Sequence, residues 1–178
     1  ICVDKNNNIY FSGIHYDGAK FDNITLHTDA ALGSYKIGTI FIAKLNASGN
    51  VQWAKNAETK KSFAAMTGLV CDNKGSVYLS AIIGFKKAKF DGVKAKGAFI
   101  AKFNTDGTLG WIHDADTKSF WSSTKITITM PGGLAISKDS NYLYATGNAT
   151  KVDSDSNYLS GITTTTTSTI IAVSKTKI

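Results

Sequence analysis

Apolar and polar positions alternate with a period of two through residues 39–45, TIFIAKL, where Phe41, Ala43 and Leu45 share one side. Asn46-Ala47-Ser48-Gly49-Asn50 then reads as a tight turn, with glycine supplying a positive φ, before a second strand that carries Trp53. The same pattern returns in residues 97–115, GAFIAKFNTDGTLGWIHDA, with Phe99, Ala101 and Phe103 alternating, a turn at Asn104-Thr105-Asp106-Gly107, and Trp111 in the place of Trp53. No window shows sustained helical spacing of apolar residues, and no run approaches the roughly 18 apolar residues of a membrane-spanning helix.

Each hairpin closes a longer unit. Residues 1–4, ICVD, predict a first strand and Ile9-Tyr10-Phe11-Ser12-Gly13 a second, followed by a connection containing AKFD and then the two hairpin strands. Residues 69–72, LVCD, and 76–81, SVYLSA, repeat the first two strands, and Ala88-Lys89-Phe90-Asp91 repeats AKFD. A more worn third copy has residues 133–137, GLAIS, then 141–147, NYLYATG, then Ile170-Ile171-Ala172-Val173. The threonine run 163–167 aligns with the approach to the third strand, so we expect ordered strand there rather than a linker. The repeats fall at about 1–66, 67–130 and 131–178 within one all-β segment. A unit of this length made of an antiparallel four-stranded meander predicts β-propeller blades, two complete and one of three strands, in an incomplete ring. Tyr10, Tyr78 and Tyr144 recur in the second strands and, with the tryptophans, are expected to pack between blades. The alternative architecture is an immunoglobulin-like sandwich.

Composition narrows the function classes. The 178 residues carry a formal charge of +7, with all 20 basic residues lysine and no arginine to make bidentate contacts, which argues against a nucleic-acid partner. The lysines are scattered, as expected for a solvated surface that protects strand edges, though anionic polysaccharide or lipid headgroups would be attracted to it. Cys2 and Cys71 occupy equivalent strands one register apart, ICVD against LVCD. Alternation puts them on opposite faces, so buried free thiols are expected and a disulfide is not. The chain starts in a strand at Ile1 and stops before a third tryptophan strand, so we read it as part of something larger, with the remaining blades supplied by a longer chain or a homo-oligomer.

The unit resembles the bacterial β-propeller repeat often called the SBBP repeat. The resemblance rests on a strand ending in Asp, a Gly/Asn turn, a Tyr strand, an F-x-G-like connection, an F-[VI]-A-K-[LF]-[ND] strand, a glycine turn and a Trp. Here these are residues 1–4, 6–13, 21–23, 41–46, Gly49 and Trp53, then 69–72, 75–81, 90–92, 99–104, Gly107 and Trp111. The third copy has Ser137 where the others end in Asp and lacks the tryptophan. The resemblance implies a propeller fold and an extracellular or cell-surface location, often as a module of adhesin-like chains, and carries no catalytic residue.

The polar residues support no specific chemistry. Asp153-Ser154-Asp155-Ser156-Asn157 begins like a calcium loop, but Tyr158 and Thr164 stand where glycine and a bidentate glutamate belong. Asp4 and Asp72 could pair around a cation near a channel, or cap their own turns. Asp114 and Asp116 lie too close on one segment for a glycosidase pair. His15, His27 and His113 lack metal-type spacing. Asn23, Asn46 and Asn148 begin glycosylation-type triplets. Trp121, outside the repeat, and Tyr16 are candidate exposed aromatic contacts, and Asp153 and Asp155 candidate polar ones. The expectation is a non-enzymatic scaffold or adhesion module that binds a protein partner or surface glycan and needs no cofactor. Its specificity would lie in the connections at 14–38, 82–96 and 148–167, where the copies differ. The alternatives are a lectin-like propeller and an enzyme whose catalytic residues lie elsewhere.

Overall fold

The computed structural model describes residues 1–59, 62–114, 125–153 and 164–174, with backbone only for 32, 85–86, 125–131, 147–153 and 164–174. The described residues form an all-β protein whose strand pairs are all antiparallel. None of them form a helix long and apolar enough to cross a membrane.

The first sheet has the order β1 (Cys2–Val3), β2 (Ile9–His15), β7 (Thr39–Leu45), β8 (Val51–Asn56). Between β2 and β7 the chain makes two small hairpins, β3 (Ala19–Phe21) with β4 (Ile24–Leu26) and β5 (Ala31–Leu32) with β6 (Tyr35–Lys36). The second sheet has the order β10 (Ala64–Cys71), β11 (Val77–Phe90), β12 (Val93–Phe103), β13 (Leu109–Asp114). The short β9 (Glu58–Thr59), leaving the first unit, pairs with β11. The third sheet is β14 (Lys125–Ile136), β15 (Tyr142–Asp153), β16 (Thr164–Ser174). Apart from the two small hairpins between β2 and β7, each sheet is built from strands that follow one another in the chain. An immunoglobulin-like sandwich needs strands that cross between two sheets, and none does among the described residues.

The repeat is exact in register. Lys44 pairs with Trp53 and Leu45 with Val51, and Lys102 pairs with Trp111 and Phe103 with Leu109, so each outer strand carries one bulged residue, Gln52 or Gly110. The turns between match too: Gly49 N donates to Asn46 O and Gly107 N to Asn104 O, each at 2.9 Å, with φ of 84° at both glycines.

Two expectations about boundaries change and a third holds. The second and third sheets begin at Ala64 and Lys125, ahead of the repeat divisions at 67 and 131, because their first strands extend past the shared motif. Residues 82–96 form no loop: β11 and β12 run on through them as one hairpin after a register shift. Residues 164–167 of the threonine run lie in β16, paired with β15, as the alignment predicts, and Thr163 lies outside the described residues.

The main core fills the space between the first two sheets. The far face of the first sheet contributes Tyr10, Ile40, Ile42 and Trp53. The near face of the second contributes Val77, Leu79, Phe99, Ala101 and Phe103. The far face of the second sheet meets the third: a Cβ on Gly68 would stand 3.3 Å from the Leu134 side chain, and Leu143 is buried.

Candidate functional site

The sheets have two kinds of end. At one lie the tight turns. At the other lie the connections that differ between copies.

At the turn end, Asp4 terminates β1 and its carboxylate is consumed locally. Oδ1 accepts the amides of Asn6 at 2.8 Å and Asn8 at 3.0 Å, and Oδ2 accepts Asn8 Nδ2 at 2.9 Å. Asp72 does the same with the amides of Lys74 and Ser76 and with the Tyr78 hydroxyl. These are Asx-turn caps, and no group of three or more candidate metal ligands occurs among the described residues. Burial raises the Asp4 carboxyl, but the hydrogen bonds from Asn8, Asn6 and Tyr10 outweigh it and hold the group below its ordinary value. In the third unit Ser137 substitutes for the aspartate, its hydroxyl accepting the amides of Asn141 and Tyr142.

The turn end also joins the sheets. Tyr10 Oη lies 2.9 Å from the Gly75 carbonyl, and Trp53 Nε1 donates to Thr105 O at 3.1 Å. Lys44 Nζ donates to Thr105 O and Oγ1 and sits 5.3 Å from the Tyr10 ring centroid. Lys44 is buried, contrary to the expectation that the lysines are surface residues. Its ammonium is held by a neighbouring turn that sequence spacing gave no means of placing. Asn73 links the second turn to the third unit through Ser140 Oγ and Lys138 O. Trp53 and Trp111 pack on Tyr10 and Tyr78 at 6.2 and 6.0 Å between ring centroids, so both tryptophans serve packing.

The aspartates of the two AKFD motifs, marked by their recurrence, share one role. Asp22 Oδ2 accepts the amide of Val51 at 3.2 Å, and Asp91 Oδ2 that of Leu109 at 3.1 Å. Each ties the connection back to the first residue of the outer strand. Both occupy a hairpin turn with positive φ, 50° and 48°. Asp91 also pairs with Lys55 of the first unit at 2.6 Å.

At the connection end the first unit presents Tyr16, 63% exposed, and Tyr35, 77% exposed, a residue that no motif singled out. Beside Tyr16, Asp17 Oδ1 accepts the Thr28 amide at 3.0 Å and lies 3.1 Å from His27 Nδ1. The Thr28 amide, then His27, hold the Asp17 carboxyl below its ordinary value. The same connection buries Leu26 and Ala30, and its His27 carbonyl accepts Asn56 Nδ2. It is therefore part of the fold as well as a surface. His15 is buried, with Nδ1 donating to Tyr16 O at 2.8 Å. Among the other candidates, Asp153 ends β15 with its backbone paired to Lys125, while Trp121 and Asp155 lie outside the described residues. Asp114 Oδ1 accepts the Lys96 amide, and Asp116 lies outside the described residues.

Compared with known proteins, the chain matches no family model and no curated protein.

Proposed function

We propose that this chain is a non-enzymatic scaffold or adhesion segment, built from β-propeller-type blades of an extracellular or cell-surface protein. It would contact a protein partner through the connection end. The observation that carries the reading is the contrast between the two ends. At the turn end the first two copies share the Asp caps, the Tyr–Trp packing and the glycine turns. At the connection end the first copy has two small hairpins with exposed Tyr16 and Tyr35, where the second has a single continuous hairpin. A common frame with differing connections, one of them bearing exposed aromatics, is the pattern of a binding scaffold.

Equivalent positions support further blades on either side. Tyr10 and Tyr78 are fully buried by the sheet that follows each, whereas Tyr144 is 41% exposed on the last sheet. Phe90 and Phe99 of the second sheet are buried by the first, while their counterparts Phe21 and Phe41 are only half-buried. The occupant that fits each face is another sheet of the same kind.

The test uses a protein array and a glycan array, probed with the wild-type chain and with the Tyr16→Ser/Tyr35→Ser variant. The expected result is a protein signal that falls at least tenfold in a variant with unchanged thermal midpoint. Equal binding by both proteins would overturn the assignment of the contact surface, and a signal confined to glycans would replace it with the lectin reading.

A further inference from the structure

We propose that Cys2 and Cys71 form a redox modification site, an intramolecular disulfide that staples the first sheet to the second. Both are free thiols in this structure. Cys2 stands opposite Tyr10 in β1 and therefore on the far face of the first sheet. Cys71 stands opposite Val77 in β10 and therefore on the near face of the second. Those faces are packed against each other, with β1 alongside β10 and both cysteines against the same core. The residues do point to opposite faces of equivalent strands, and this is what brings them together. The absence of a disulfide expected from alternation does not follow from it.

The two side chains interact directly, and the hydrogen bond between the thiols is the largest influence on each. The Cys2 thiol is pushed far up by its contact with Cys71 and then by burial. Contact with Cys2 lowers Cys71 against the opposing effect of burial and of Asp4 and Asp72. Both cysteines are half-buried, which leaves a path for a small oxidant.

The oxidant is a low-molecular-weight disulfide, RSSR. The Cys71 thiolate attacks one of its sulfurs, the S–S bond breaks, and the first RS⁻ leaves and takes up a proton. Cys2 then loses its proton and attacks Cys71 Sγ in the mixed disulfide, expelling the second RS⁻. Two thiols have lost two electrons and two protons, and RSSR has become two RSH. The new bond closes a long loop between the first strands of two sheets, which restricts the unfolded chain and opposes separation of the layers.

Oxidised glutathione is the probe, applied to the folded wild-type chain, followed by iodoacetamide and mass measurement. The expected product has lost two hydrogens, carries no glutathione and no alkyl group, and yields one cross-linked peptide pair containing Cys2 and Cys71. Its urea midpoint rises and returns on reduction. The Cys2→Ser variant, checked for an unchanged circular dichroism spectrum, should keep one glutathione on Cys71. Two alkylated thiols in the wild type, two stable glutathione adducts, or a cross-linked dimer would each overturn the proposal.

Discussion

Tyr10 of the first sheet reaches Gly75, a turn residue of the second, with 2.9 Å between its hydroxyl oxygen and the Gly75 carbonyl. The same hydroxyl is 3.2 Å from Asp4 Oδ2, so one buried group connects the cap of its own turn to the neighbouring layer. Tyr10→Phe keeps the ring against Trp53 and removes only this link. It should cost about 1–3 kcal/mol, the range for leaving a buried partner unsatisfied, read from urea unfolding.

Gly107 and Gly49 separate backbone strain from packing. Both have φ of 84°, so alanine at either position costs about 1–2 kcal/mol from the left-handed conformation alone. A Cβ on Gly49 meets open space, but on Gly107 it would lie 2.8 Å from the Trp53 ring. Gly107→Ala should therefore be the more destabilising by at least about 1 kcal/mol, with a change in tryptophan fluorescence that Gly49→Ala does not produce.

Stability should fall at both extremes of pH. The Asp4 carboxyl is held below its ordinary value, so its contribution is complete above about pH 4 and is lost as the pH drops through the folded-state value. The hydroxyls of Tyr10 and Tyr78 are raised, chiefly by burial and also by Asp4 and Asp72 respectively. Their contribution is complete below about pH 10 and fades as the pH rises through the folded-state values. Unfolding midpoints measured across pH should flatten on the acid side in Asp4→Asn and on the alkaline side in Tyr78→Phe.

The β11–β12 hairpin carries like charges in register. Lys89 pairs directly with Lys94, both exposed, with Glu58 opposite Lys89 on the other side. Lys94→Glu replaces a repulsive cross-strand pair with an attractive one and should stabilise the chain by about 0.2–1 kcal/mol. The gain should shrink as salt is added, which a thermal series at rising ionic strength would show.

Local signals carried much of the fold. The alternation in TIFIAKL, the glycine turns and the return of Trp53 as Trp111 are short-range consequences of strand pleat and turn geometry, and they predicted four-, four- and three-stranded units. The extra pairing of β9 on the second sheet was not legible, since two residues carry no periodicity. Nor was the continuation of the second hairpin through residues 82–96, where the Phe63 ring occupies the space a Cβ on Gly84 would need. At the candidate site, Tyr16 was picked out as an aromatic in a connection, while Tyr35 and the Asp17–His27 pair needed the two small hairpins to be seen.

Sequence by itself determined which residues share a face within a strand, where the turns fall and that the units repeat, because those properties depend on neighbours a few positions apart. It placed Cys2 and Cys71 correctly on opposite faces. Only the tertiary structure decided that the far face of one sheet rests on the near face of the next. Serial stacking of equivalent sheets turns opposite faces into facing ones, and that relation is set by layer packing across the whole unit, which strand alternation does not encode.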